Sequence, residues 1–136
     1  MAIERLVADA PPSVRWVTRF VTEPELAACF RRADVVVLPY LHTERLDFSG
    51  VLATALAFAK PAVVSDVGGF RELAEAGAAL LVPPGDSGEL AAALKTLLAE
   101  PDRREQSSSG ARAAAEGPYS WHQAAEQTMA LYRELA

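Results

Sequence analysis

The alternation of apolar and polar positions divides the chain into short β-branched runs and longer stretches of helical period. VVVLPY (35–40) is a β-branched run that stops at Pro39, which reads as a buried strand. A polar loop follows, and Ser49 is placed to cap a helix that begins near Gly50 and runs through VLATALAFA to Ala59. That helix is apolar nearly all round, so it is expected to lie buried between layers. Pro61 breaks it, AVVS (62–65) makes the next strand, and Gly68 with Gly69 turns the chain into FREL. The loop between Tyr40 and Ser49 then sits at the carboxyl end of a parallel strand and the amino end of a buried helix. Open α/β sheets bind ligands there, and free amide N–H groups suit a phosphate.

The flanking segments extend the same grammar. AIERLVADA (2–10) reads as the end of a short helix closed by Pro11 and Pro12, and VRWVTRF (14–20) as a first strand with Val14, Trp16 and Thr18 on one face. Thr22-Glu23-Pro24-Glu25 is a capping box with proline in the first turn, and Leu26, Cys29 and Phe30 of the helix it opens are spaced to face the sheet. Strand–helix–strand is the unit that builds parallel sheets. Farther on, Gly77 is a natural stop for the helix after Gly69, ALLVPPGD (79–86) supplies a fourth strand, and Asp86-Ser87-Gly88-Glu89 caps LAAALKTLLAE. Pro101 starts a helix whose interior serines and glycine weaken it. After a short linker (116–119), Ser120 through Gln123 open a last helix, 120–135, with Trp121, Ala124, Ala125, Thr128, Leu131 and Tyr132 near one face. The expectation is one Rossmann-like α/β domain spanning 1–136, three-layered, with a mostly parallel sheet of about four strands.

Composition narrows the function classes. A chain of 136 residues with 51% hydrophobic content suits one globular domain that buries roughly two-thirds of its unfolded surface. The net charge of −5 argues against nucleic acid or an anionic membrane as partner. A single cysteine, Cys29, excludes a disulfide framework and points to a reduced cytoplasm. No apolar run reaches the ~20 residues of a membrane span. No cysteine/histidine cluster has metal-ligand spacing, and no nucleophile–base arrangement is evident.

Taken together, ADVVVLPY, SGVLATALAFAKPAVVSDVGGFREL, ALLVPPGDSGELAAAL and the late SW…Y resemble the nucleotide-sugar-binding C-terminal domain of GT-B glycosyltransferases of the family 4 type, over about Arg15 to Tyr132. The resemblance implies a retaining sugar transfer from a nucleotide-sugar, with that donor as substrate, no cofactor and no catalytic metal. It implies a donor site at Ser49, Gly50, Val51 and Leu52, the amides of the last three facing the pyrophosphate or donor sugar, with Gly68 and Gly69 turning near the donor sugar. Two glutamates seven residues apart are usual in the family. Here the first falls on Leu46, with acids at Glu44 and Asp47 instead, and the second, which grips the ribose, falls on Thr54. Glu44 and Asp47 are therefore candidates for donor-sugar hydroxyls, and Thr54 for a single ribose contact.

The family's basic pyrophosphate clamp has no counterpart, and neither does its N-terminal acceptor domain. The chain is accordingly expected to be a truncated domain, inactive alone and docking at a membrane, if at all, only through the full enzyme. A homodimer or a second polypeptide would then complete the sheet. The contrasting reading is a non-catalytic Rossmann-like fragment or interaction module. His42, Arg45, Arg31, Arg32 and His122 read more simply as solvated side chains.

Overall fold

Local chemistry starts each helix where the pattern places it. The computed structural model describes residues 3–41 and 49–135, and the account below concerns these. Helix α1 spans Ile3–Asp9 and α2 spans Glu23–Arg32. At the head of α2 the Glu25 carboxylate accepts from the Thr22 backbone N–H at 2.9 Å and from its hydroxyl at 3.0 Å, closing the capping box. Both terminal nitrogens of Arg19 donate to the same carboxylate, at 3.1 and 2.5 Å. The Arg19 bonds, reinforced by Thr22, hold Glu25 down to a pKa of about 2.

Strands β1 (Val36–Leu38), β2 (Ala62–Ser65) and β3 (Leu80–Val82) form a parallel sheet in the order β1-β2-β3, with Val37 opposite Val63 and Val64 opposite Leu81. Side chains alternate across β2. Ala62 and Val64 join Leu38, Leu52, Leu56, Phe70, Leu73, Ala111 and Ala114 in the larger core. That core is closed by α3 (Gly50–Ala57), α4 (Phe70–Glu75) and α6 (Pro101–Glu116). Val63 turns the other way and meets Val82 and Leu97, so α5 (Ser87–Ala99) covers the opposite face. The three-layer, Rossmann-like α/β class is the one expected.

Three expectations need correction. The stretch from Val14 to Thr18 is not a strand: among the described residues the sheet has three strands, and β1 pairs only with β2. A strand exists only against a partner edge, and here Val14, Trp16 and Val17 stay about half exposed with none. Helix α3 is buried on one side only. Leu52, Ala55 and Leu56 enter the core while Val51, Ala53 and Ala57 are exposed. Of the three residues expected to turn α2 inward, only Phe30 is buried, stacked on Phe58 with ring centroids 5.6 Å apart; Leu26 and Cys29 are exposed.

The serines and glycine inside α6 have a packing reason. Ser107, Ala111 and Ala114 present a small-residue surface to the core, and Gly110 lies directly on the backbone of Gly77 and Ala78. Gly77 itself adopts φ 74° just past the end of α4, a conformation that glycine takes without steric cost. The final helix α7 (Trp121–Leu135) starts from Ser120, whose hydroxyl accepts from the Gln123 N–H at 3.1 Å. None of its residues is buried, and Trp121 is 92% exposed. Among the described residues no helix is long and apolar enough to cross a membrane.

Candidate functional site

The site is assembled where the chain leaves β1 and re-enters regular structure at α3. Tyr40 lies against Phe70, ring centroids 5.8 Å apart, and its hydroxyl shares a hydrogen bond with Ser49 Oγ at 3.1 Å. Ser49 Oγ also accepts from the Leu52 N–H at 3.3 Å. The serine is thus the buried cap of α3, tied to both the strand exit and the helix.

This geometry revises the expected roles. Of the three amides placed toward a ligand, that of Leu52 is taken by the cap, and the Leu52 side chain is wholly buried. Gly50 and Val51 keep first-turn N–H groups that no carbonyl of the helix can reach. A Cβ at Gly50 would meet nothing within 4 Å, so the backbone there lies open to a close approach. Thr54 donates its hydroxyl to the Gly50 carbonyl at 2.9 Å, which leaves it lone pairs to accept a ligand's proton but no proton to give.

Leu26, Phe30, Tyr40, Ser49, Gly50, Val51 and Thr54 together line a cleft of about 510 Å³. None of them is charged, so among the described residues the attraction for an anion comes from amides and the positive end of α3. Glu44 and Asp47, like His42, Arg45 and Leu46, lie outside the described residues. Gly68 takes φ 54° and Gly69 caps α4; neither lines this cleft. Beside that turn Arg71 pairs with Asp66.

The residues read as solvated behave so where described. Arg31 and Arg32 are exposed, and His122 reaches Glu126 one turn along α7 at 3.3 Å. No group of three His, Cys, Asp or Glu able to hold a metal exists among the described residues. Sequence reasoning missed Tyr40 as the second anchor of Ser49. Nine residues separate the two, and only the fold reveals that the ring turns back over the helix start.

Comparison with known proteins follows from this geometry. Residues 2–100 match the family described as "Glycosyl transferases group 1". D-inositol 3-phosphate glycosyltransferase of Kineococcus radiotolerans is 39% identical over 142 residues, covering 96% of this chain and 29% of that enzyme. Phosphatidyl-myo-inositol mannosyltransferase of Mycobacterium leprae is also 39% identical, covering 81% of this chain and 29% of its own length. Sucrose-phosphate synthase of Thermosynechococcus elongatus superposes with a TM-score of 0.81 at 30% identity, over 98% of this chain and 33% of that one. HepE of Anabaena, solved in complex with UDP, gives 0.70 at 25% identity over 78% of this chain and 29% of its own. The chain thus spans about 29% of the length of these curated relatives.

Proposed function

From the premise that the chain belongs to the group 1 glycosyl transferases, we propose that it is the donor-binding part of a retaining GT-B enzyme of the family 4 type, acting in the cytoplasm. The complete enzyme moves a sugar from a nucleotide-sugar to an acceptor held by a further domain. One observation carries this reading: a buried serine cap fixes an open glycine turn at a helix start, at the exit of a parallel strand and beside a cleft. The amides of Gly50 and Val51 meet the donor's pyrophosphate with the positive end of α3 behind them. Thr54 accepts from a ribose hydroxyl, Glu44 and Asp47 bond the donor sugar, and Gly68 and Gly69 turn close to it. The nucleotide-sugar is the substrate, and the reaction uses no cofactor. Catalysis is positioning plus stabilisation of the leaving diphosphate as the glycosidic bond breaks.

The same reading calls for further polypeptide against β1. Among the described residues its outer edge pairs with no strand, and Val14, Trp16, Val17 and Val51 are about half exposed. A second copy of the chain, or another polypeptide that supplies the missing strands, covers that edge, and sedimentation at low micromolar concentration reports a self-association directly.

Amide NMR during titration with UDP, GDP and ADP tests the donor site. The expected result is a shift of Gly50 and Val51 at millimolar ligand; if these amides stay still with all three nucleotides, the site assignment is wrong. Sugar transfer by the 136-residue chain alone would overturn the requirement for a second domain.

A further inference from the structure

The cleft at the head of α3 offers few protons to a ligand, and each can be traced. Leu26, Phe30 and Val51 bring apolar side chains to it. Thr54 has spent its hydroxyl proton on the Gly50 carbonyl. The first-turn N–H groups of Gly50 and Val51 are two donors. What is left is the hydroxyl pair of Tyr40 and Ser49, which lines the cleft and joins at 3.1 Å. Two hydroxyls carry two protons, and the bond between them uses one. The Leu52 N–H bonds a lone pair of Ser49 Oγ, which takes up no hydroxyl proton. Whichever oxygen donates to the other, one proton of the pair therefore has no acceptor among the described residues. Ser49 is only 5% exposed and Tyr40 lies partly buried against Phe70, so that proton is partly withdrawn from water. A ligand oxygen that accepts it is favoured.

We propose that Tyr40 and Ser49 act as a single donor that gives this proton to an oxygen of the pyrophosphate, which makes Tyr40 a specificity-determining residue of the cleft. This role rests on the donor reading and adds a residue and a hydrogen bond to it. Pyrophosphate oxygens at neutral pH are acceptors, so they suit a site whose open groups are two amides and one hydroxyl. No cation lines the cleft among the described residues, so a third donor carries a large share of the recognition. The two hydroxyls can also replace one another. Their oxygens are 3.1 Å apart, and removing either leaves the other with its own proton to donate. The Phe70 contact and the Leu52 cap hold both oxygens in place, so little ordering is needed when the anion arrives.

Amide NMR at Gly50, with UDP in one arm and inorganic pyrophosphate in the other at constant ionic strength, tests this on the parent, Tyr40→Phe, Ser49→Ala and the double variant. Each single variant keeps one hydroxyl proton and should bind less than about threefold more weakly. The double variant keeps none and should lose about tenfold for both ligands, the low end for a hydrogen bond to a charged group. Ser49→Ala and the double variant decide between roles: both lack the cap, and a Tyr40 hydroxyl that only held Ser49 would have nothing left to hold. Equal affinities of those two proteins overturn the proposal. So does a loss confined to UDP, which would set the pair against the ribose or base. A Tyr40→Phe protein as weak as the double variant also refutes it, by denying Ser49 its part. Where Ser49→Ala unfolds, Ser49→Gly takes its place, since glycine caps a helix nearly as well as serine. A parent whose Gly50 amide stays still in both arms removes the donor reading itself, and this role with it.

Discussion

Replacing Gly110 by alanine sets two effects of opposite sign against each other. In an ordinary helix interior the change stabilises by about 1 kcal/mol, because alanine is the better helix former. In α6 the added Cβ would overlap the Gly77 carbonyl oxygen and stand 2.6 Å from its carbon and 3.1 Å from the Ala78 nitrogen. These are backbone atoms, and no rotamer change moves them aside. Nor can that backbone shift freely: Gly77 N–H is bonded to Ala74 O and Ala78 N–H to Leu73 O, both at 2.9 Å. Overpacking of this kind costs about 1–3 kcal/mol or more, so the clash outweighs the propensity gain.

The overlap is with backbone and severe, so the upper end applies, and the expected net loss is about 2 kcal/mol, or a melting temperature lower by roughly 4–8 °C for a chain of this size. Urea denaturation followed by circular dichroism measures it, with Gly50→Ala as the steric control, since a Cβ there meets nothing within 4 Å. A Gly110→Ala protein as stable as the parent, or more so, would refute the close contact between α6 and the end of α4.

Three further changes test other parts of the structure. Because Glu25 is held at about 2 when folded against 4.5 ordinarily, its contribution is fully present above pH 4.5 and fades as pH falls toward 2; Glu25→Gln should flatten the acid limb of a stability–pH profile over that window. Ser49→Ala leaves the Leu52 N–H without its cap and the Tyr40 hydroxyl without its partner, so a loss of about 0.5–2 kcal/mol is expected in urea denaturation. Ala59 holds φ 51° after α3, and Ala59→Gly should stabilise modestly, by up to about 1 kcal/mol, as strain is relieved against the entropy glycine adds to the unfolded chain; a clear loss would mean that the left-handed turn is not strained.

What could be read from the sequence was chemistry of short range. The starts of α2, α5 and α7 follow from Thr22, Asp86 and Ser120, each a polar side chain acting on amides two or three residues ahead. Even so, the return bond of the box is made only by Glu25 among these three; at Asp86 and Ser120 the cap acts alone. What could not be read was anything that needs a distant partner. VRWVTRF has the composition of a strand, but pairing belongs to two segments at once and no edge reaches it. The apolar wrap of α3 does not say which side meets a layer. The weak propensity of α6 was visible, yet its cause lies in Gly77, more than thirty positions upstream.

The neutral lining of the cleft has a consequence for affinity. A helix terminus with its free first-turn amides attracts an anionic group with roughly 0.3–1 kcal/mol at an exposed surface, and salt screens part of that. Millimolar binding corresponds to about −4 kcal/mol, so little beyond it is available without a cation, and none lines the cleft among the described residues. The proposed donor site should therefore bind UDP more weakly as salt rises. Titrations at about 10 mM and 300 mM salt, a range over which the screening length shortens from about 30 Å to well under 10 Å, measure that dependence. A salt-insensitive response at Gly50 would show that the phosphate is not recognised by the head of α3.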